Sequence, residues 1–215
     1  KTNELASVKI DNVLNLIKSN CTTKFDESVD LNLRINNKQK KNEVNLRTVV
    51  NLPGGTGKSI KVAVVCEESK IDDANNANAD VVGGDDLVEK IKNGELNFEK
   101  LICTPSMMIK LSKLGKVLGP KGLMPNPKLG TVSNNIKKTV NEIKNGLVEI
   151  KNDKDGNLAS SIGRKNFSSE KIVENFNFFM ESLKKEKPSG IKGDFIKNIY
   201  LTSTMGLSYK VSSYK

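Results

Sequence analysis

The sequence predicts an α/β chain of two domains, in which an α+β domain built from both termini carries an inserted, Rossmann-like α/β domain. Three observations carry that prediction. Strands near the two ends alternate apolar and polar residues, whereas strands in the middle are continuously apolar, so one sheet is half-exposed and the other covered on both faces. Helix and strand patterns alternate through the middle in a βαβα rhythm. The charge is also uneven: of a net +10, residues 1–61 and 153–215 together carry +9 and 62–152 carries +1. We therefore expect a discontinuous domain of 1–61 and 153–215 around an inserted domain of 62–152. Connecting strands near 60 and 152 would form a hinge between lobes that open and close. A single continuous α/β domain is the competing organisation.

Taken in order, the pattern opens with a helix over about 4–19, where Leu5, Val8, Val13, Leu14 and Ile17 fall on one face. A hairpin is expected next. Val29, Leu31, Leu33 and Ile35 alternate with Asp30, Asn32 and Arg34, then Val44, Leu46, Val50 and Leu52 alternate with Asn45, Arg47 and Asn51. The polar loop NNKQKKNE at 36–43 connects them. One face is core and the other offers amides and guanidiniums. KVAVVC at 61–66 begins the inserted segment as a continuous apolar strand. Helical patterns at 70–78, 85–93 and 105–114 alternate with strands at 79–83 and 100–104, and a helix at 133–145 and a strand at 146–152 finish the segment. A strand at 157–162 follows, then a helix at 168–187 started by Ser168 and Ser169 and stopped at Pro188-Ser189-Gly190, then a final strand at 194–204.

Composition excludes several chemistries. With no His, Ser-His-Asp, Cys-His and His-zinc sites are ruled out, while Lys, Asp and Glu catalysis stays open. Cys21, Cys66 and Cys103 form no C-x-x-C pair and read as reduced structural thiols. No metal or cofactor is called for. No apolar run is long enough to span a bilayer. Because the chain opens at Lys1 rather than Met, residues ahead of it are expected to have been removed. A pI near 9.4 favours a polyanionic partner. With no Trp and 5% aromatics, that partner is better read by shape, phosphate and 2′-hydroxyl than by stacking bases on aromatic rings.

Four motifs carry the candidate chemistry. LPGGTGKS at 52–59 ends like a phosphate-binding loop, but Leu52 stands where the first Gly belongs and a strand follows in place of a helix. A nucleotide-binding protein using Lys58 is the alternative function it would support; a flexible connection is the plainer account. NDKDGN at 152–157 has its Gly at the wrong position for a calcium loop and reads as a hairpin turn. LGPKGLMPNPKLGTV at 118–132, with three Pro and three Gly, reads as an ordered loop exposing Lys121 and Lys128. Finally, Thr202-Ser203-Thr204-Met205-Gly206 ends a strand with three hydroxyls, an apolar side chain and a glycine, a set suited to 2′-hydroxyl and phosphate contacts. Taken by itself, it is better read as an ordinary polar strand end.

The run LGPKGLMPNPKLGTV resembles the signature of the large-subunit ribosomal protein L-one family, through Gly119, Pro120, Lys121, Gly122, Pro125, Asn126, Pro127 and Lys128. LPGGTGK, ADVVGG, Thr104-Pro105, Val148–Lys154, Ile162-Gly163, Lys187–Lys192 and STMG resemble that family's bacterial and organellar form in the same order, over about residues 5–211. The resemblance implies a two-domain, non-enzymatic constituent of the large ribosomal subunit, whose terminal domain grips rRNA at the base of the mobile lateral stalk. It also implies transient work with exit-site tRNA as deacylated tRNA leaves, contacts with other ribosomal components, and repression of the chain's own mRNA. The setting would be a ribosome in a bacterial cytoplasm or an organelle. Carried over, the RNA-binding candidates are Thr202, Ser203, Thr204, Met205 and Gly206, then Asn32, Arg34 and Arg47, then Lys58 and Arg164. Three departures bear on loop contacts: Gly54 and Leu207 replace the usual residues, and 36–43 lacks the usual Asp-Pro start.

Overall fold

A computed structural model describes residues 9–36, 46–187 and 194–211. The chain divides into two compact units, Lys1–Gly57 with Gly146–Lys215, and Lys58–Asn145. Leu5, Val8, Val44, most of the 36–43 loop and the Pro188 stop lie outside the described residues.

In the terminal unit, α1 (Ile10–Asn20) buries Val13, Leu14 and Ile17. The long helix α7 (Ser169–Lys185) is capped by the Ser168 hydroxyl, which accepts from the Lys171 N–H. Its apolar face, including Ile172, Phe176, Phe179, Met180 and Leu183, joins α1 in covering one side of an antiparallel sheet. That sheet has the order β7 (Asn157–Arg164), β1 (Ser28–Ile35), β8 (Ile196–Ser203), β9 (Ser208–Lys210). Alternate residues of β1, from Val29 to Ile35, enter the core, so Asp30, Asn32 and Arg34 face outward as their spacing predicts.

The expected hairpin is not formed. β1 pairs on both edges with strands from the far end of the chain, Asn32 opposite Ala159 on one side and Tyr200 on the other. The second expected strand, β2 (Arg47–Asn51), pairs instead with β6 (Leu147–Lys151) in a separate two-stranded sheet. That pairing brings β6 into the terminal unit, correcting its assignment to the inserted segment. Val50 and Ile150 of this ribbon belong to the terminal core, and burial of both side chains holds the ribbon there. A hairpin does form between β8 and β9, a strand the sequence reading did not include.

The inserted unit is a parallel sheet of order β4 (Val81–Gly83), β3 (Val62–Val65), β5 (Lys100–Cys103). All four residues of β3 are buried, as the unbroken apolar run requires. Ala63 and Val65 pack in one cluster with Leu87 and Ile91 of α3 (Asp85–Lys92), Met107 and Leu111 of α4 (Pro105–Ser112) and Leu118 of the short α5 (Gly115–Leu118). Val62 and Val64 point the other way. There α6 (Ile136–Lys144) and the short α2 (Ile71–Asn76) supply Ile136, Val140 and Ala74. Asp80 accepts from the Val62 N–H at 2.8 Å and meets the Lys144 ammonium at 3.1 Å, and both hold its carboxyl below the usual range. The expected helices and strands of this unit are thus all present, each slightly shorter than its sequence pattern.

Candidate nucleic-acid interface

The sheet of the terminal unit ends in a turn, Thr204-Met205-Gly206, between β8 and β9. Two partners hold it. The Thr204 hydroxyl accepts from the Ser28 N–H at 3.0 Å, tying the turn to the start of β1. The Met205 N–H donates to the Glu27 carboxylate at 3.1 Å, which leaves the Met205 side chain 72% exposed. An added Cβ at Gly206 would overlap the Ser203 hydroxyl, which would have to turn away from Glu27 to admit it. The Thr202 hydroxyl donates to the Ser203 carbonyl. The five candidates from Thr202 to Gly206 are therefore one built structure and more than a frayed strand end.

Glu27 is the member that sequence reasoning missed. It is 1% exposed, and no ion pair to it occurs among the described residues. Its carboxylate accepts from the Thr23 hydroxyl, from Met205, and from the Ser203 hydroxyl and Cys21 thiol. Led by the Thr23 bond, these donors outweigh burial and bring its pKa down to about 2. A lone Glu ahead of a strand reads as surface charge, and only the fold reveals its donors. The same end of the sheet exposes Phe25, beside the Thr23 hydroxyl that donates to the Phe25 carbonyl. Arg164, at the end of β7 opposite Ser28, donates from Nη1 to the Asp26 carbonyl at 2.8 Å and so braces this loop. Its Nε is buried without a hydrogen-bond partner among the described residues.

The remaining candidates lie elsewhere. Asn32 and Arg34 sit on the open sheet face, toward the other end of β1. Arg47 does not share that sheet and is bound to Glu149 at 2.8 Å, which separates it from the polar face it was grouped with. In the glycine loop, Gly57 takes φ 71° and packs where a Cβ would strike Arg164 and Phe167. Lys58 follows it, and the chain continues into β3 with no helix between, so no helix N-terminus stands ready for a phosphate. Asn175, fully buried on α7, accepts from the Gly54 N–H and donates to the Gly55 and Ile162 carbonyls, fixing the loop's path.

In the signature loop of the inserted unit, Lys121 and Lys128 are exposed, while Leu118, Pro125 and Leu129 are buried. Asn126 caps a single 3₁₀ turn from Pro127 to Leu129, and Gly130 follows at φ 69°. Thr131 locks the loop by accepting from the Asn126 N–H and donating to its carbonyl. Val132 then bridges to Cys103 at the edge of the parallel sheet. Proline and buried leucine give this loop its fixed shape, and the two lysines are its charged exterior. Cys66 and Cys103 are free and buried, and burial pushes the Cys103 thiol up to about 11. Among the described residues no group of His, Cys, Asp and Glu converges as a metal site requires, and no helix is long and apolar enough to cross a membrane.

Comparison with known proteins accounts for this assembly. Residues 17–207 match the model of the ribosomal protein L1p/L10e family. Over 212 residues the chain is 62% identical to the large ribosomal subunit protein uL1 of Pelagibacter ubique (strain HTCC1062), covering 98% of this chain and 93% of that one. It is 43% identical to uL1 of Orientia tsutsugamushi (strain Ikeda) over 98% of this chain and 88% of the relative. It is 42% identical to uL1c of Phaeodactylum tricornutum (strain CCAP 1055/1), over 98% and 92% respectively. The signature loop, the braced turn at the sheet's end and the near full-length matches agree, and the chain belongs to the ribosomal protein L1p/L10e family.

Proposed function

We propose that this chain grips folded rRNA at the base of the mobile lateral stalk, using the Thr202–Gly206 turn of its terminal unit as the reader. As a member of a ribosomal protein family it is a structural, non-enzymatic constituent of the large ribosomal subunit, with rRNA and other ribosomal components as partners. The observation that carries the finer reading is the Met205 side chain, 72% exposed on a turn clamped from below by Glu27 and the Ser28 N–H. Met205 does not stand alone, since Leu207 beside it and Phe25 at the same end of the sheet are also exposed, and burial against a partner would stabilise all three. Hydroxyls with a bare backbone beside them suit the 2′-hydroxyls of RNA, and the methionine covers a ribose or base edge. The positive charge of the terminal segments adds the attraction to phosphate that any such grip needs.

By holding the stalk as it swings, the chain assists release of deacylated tRNA from the exit site. Applied to a similar fold in its own mRNA, the same grip represses its translation. The test is binding of a large-subunit stalk rRNA fragment against a scrambled RNA of equal length across a salt series. A specific grip keeps the fragment's advantage at moderate salt, whereas phosphate contacts alone are lost together. Met205→Ala with Thr204→Val should cut that advantage by about ten-fold, the worth of one good contact. Equal binding of both RNAs at every salt concentration would overturn the proposal.

A further inference from the structure

The face of the four-stranded sheet away from α1 and α7 carries a groove of about 740 Å³, near the opposite end of β1 from the turn. Asn32 and Arg34 of β1 and Asn198 and Tyr200 of β8 make its floor. In register, Asn32 stands opposite Tyr200 and Arg34 opposite Asn198, so two amides, a guanidinium and a phenol ring share two adjacent strands. These four side chains make no hydrogen bond or ion pair among the described residues. None of the four is buried, so their donors and acceptors are held by water that a polar ligand can displace. The volume lies within the range of about 300 to 1,000 Å³ that small-molecule sites occupy.

Charge narrows the occupant. Arg34 and Lys151 line the groove, and its only carboxylate among the described residues, Asp153, is turned into its own loop. There it accepts from the Asn157 N–H at 2.6 Å and from the Asn157 side-chain amide at 2.9 Å. The groove therefore offers two cations, unpaired among the described residues, to an anion, a flat ring to a flat partner, and paired donors and acceptors to a polar edge. An acidic peptide would leave the ring without a flat partner; a nucleotide uses all three. We propose that the groove takes one unpaired nucleotide of the RNA held at the turn, with its base against Tyr200, its polar edge on Asn32 and Asn198, and its phosphate on Arg34 and Lys151. The inference rests on the grip proposed above. From Ser28 to Arg34 is about 20 Å of extended strand, so RNA held at the turn reaches the groove along the same open face.

The experiment titrates the full chain with a labelled, mixed-sequence single-stranded RNA hexamer, and in parallel with the stalk fragment. Tyr200→Ser should weaken hexamer binding roughly ten-fold, as loss of one stacked base does. Tyr200→Phe should retain it, and Lys116→Ala, an exposed charge of the inserted unit, should leave it unchanged. Circular dichroism identical to the parent's ensures that Tyr200→Ser has kept its fold. The proposal is overturned if Tyr200→Ser binds the hexamer as the parent does, or if a hexaglutamate peptide displaces the hexamer at equal concentration. The two readings separate cleanly. A stalk fragment that keeps its advantage while the hexamer ignores Tyr200 sinks the groove alone. A hexamer that depends on Tyr200 while stalk and scrambled RNAs bind alike sinks the grip at the turn.

Discussion

Glu27 sets the behaviour of the turn at the scale of single residues. Its pKa of about 2 in the fold lies below the value of about 4.3 for an unfolded Glu. The stabilisation is therefore fully present above the unfolded value and is lost as pH falls through the folded one. The Met205 amide resonance should accordingly keep its native position at pH 4 and move only as pH approaches 2; a midpoint near 4.3 would mean the carboxylate is not held. Asn175 is the other buried polar hub. Asn175→Leu leaves the Gly54 N–H and two carbonyls without their partner. It should cost about 2 to 4 kcal/mol in urea denaturation, with the slope unchanged. Neither residue announced itself in the sequence, because an acid before a strand and an amide in a helix are everyday surface residues. The hydroxyl-rich strand end stood out only through the family resemblance, since three hydroxyls and a glycine in a row are by themselves an ordinary polar strand end.

Among the elements, α7 was read correctly because its start signal is local. Ser168 caps it by accepting from the Lys171 N–H at 3.4 Å, and Ser168→Ala should lower stability by about 1 kcal/mol in thermal unfolding. An unchanged midpoint would show that packing of Phe176 and Phe179 alone fixes that end. The β3 run was equally plain, because a strand buried on both faces has no polar alternation to mimic. Pairing was where sequence reasoning failed. Alternation in β1 fixes which residues face the core, and it says nothing about which strand lies alongside. Two consecutive alternating strands with a polar loop between them satisfy a hairpin pattern, yet β7 and β8 take both edges of β1. β6 was misassigned for the same reason, since its partner β2 lies almost a hundred residues earlier.

For the whole molecule, the decisive fact is that each unit encloses its own core. Phe179 and Leu31 belong to one core, Leu111 and Ile91 to the other. Phe179→Ala should cost about 3 to 5 kcal/mol, and hydrogen exchange should report the loss in amides of the terminal unit while those of β3 and β5 keep their protection. Matching loss in both units would mean that they unfold as one. The discontinuous organisation was legible from the charge and the change in strand type. Its boundaries were less so, because β2 and β6 carry apolar residues that would serve either core.

The central position of β1 also bears on the order in which the chain can fold. A chain made from its N-terminus completes β1 at Ile35, but β7 begins only at Asn157 and β8 at Ile196. Until then both edges of the central strand lack their native partners, and the terminal core lacks α7. Residues 58–145, by contrast, are contiguous and hold all three strands of their sheet. The inserted unit is thus free to close first, while the segment that carries the proposed RNA grip must wait for β8 to be synthesised.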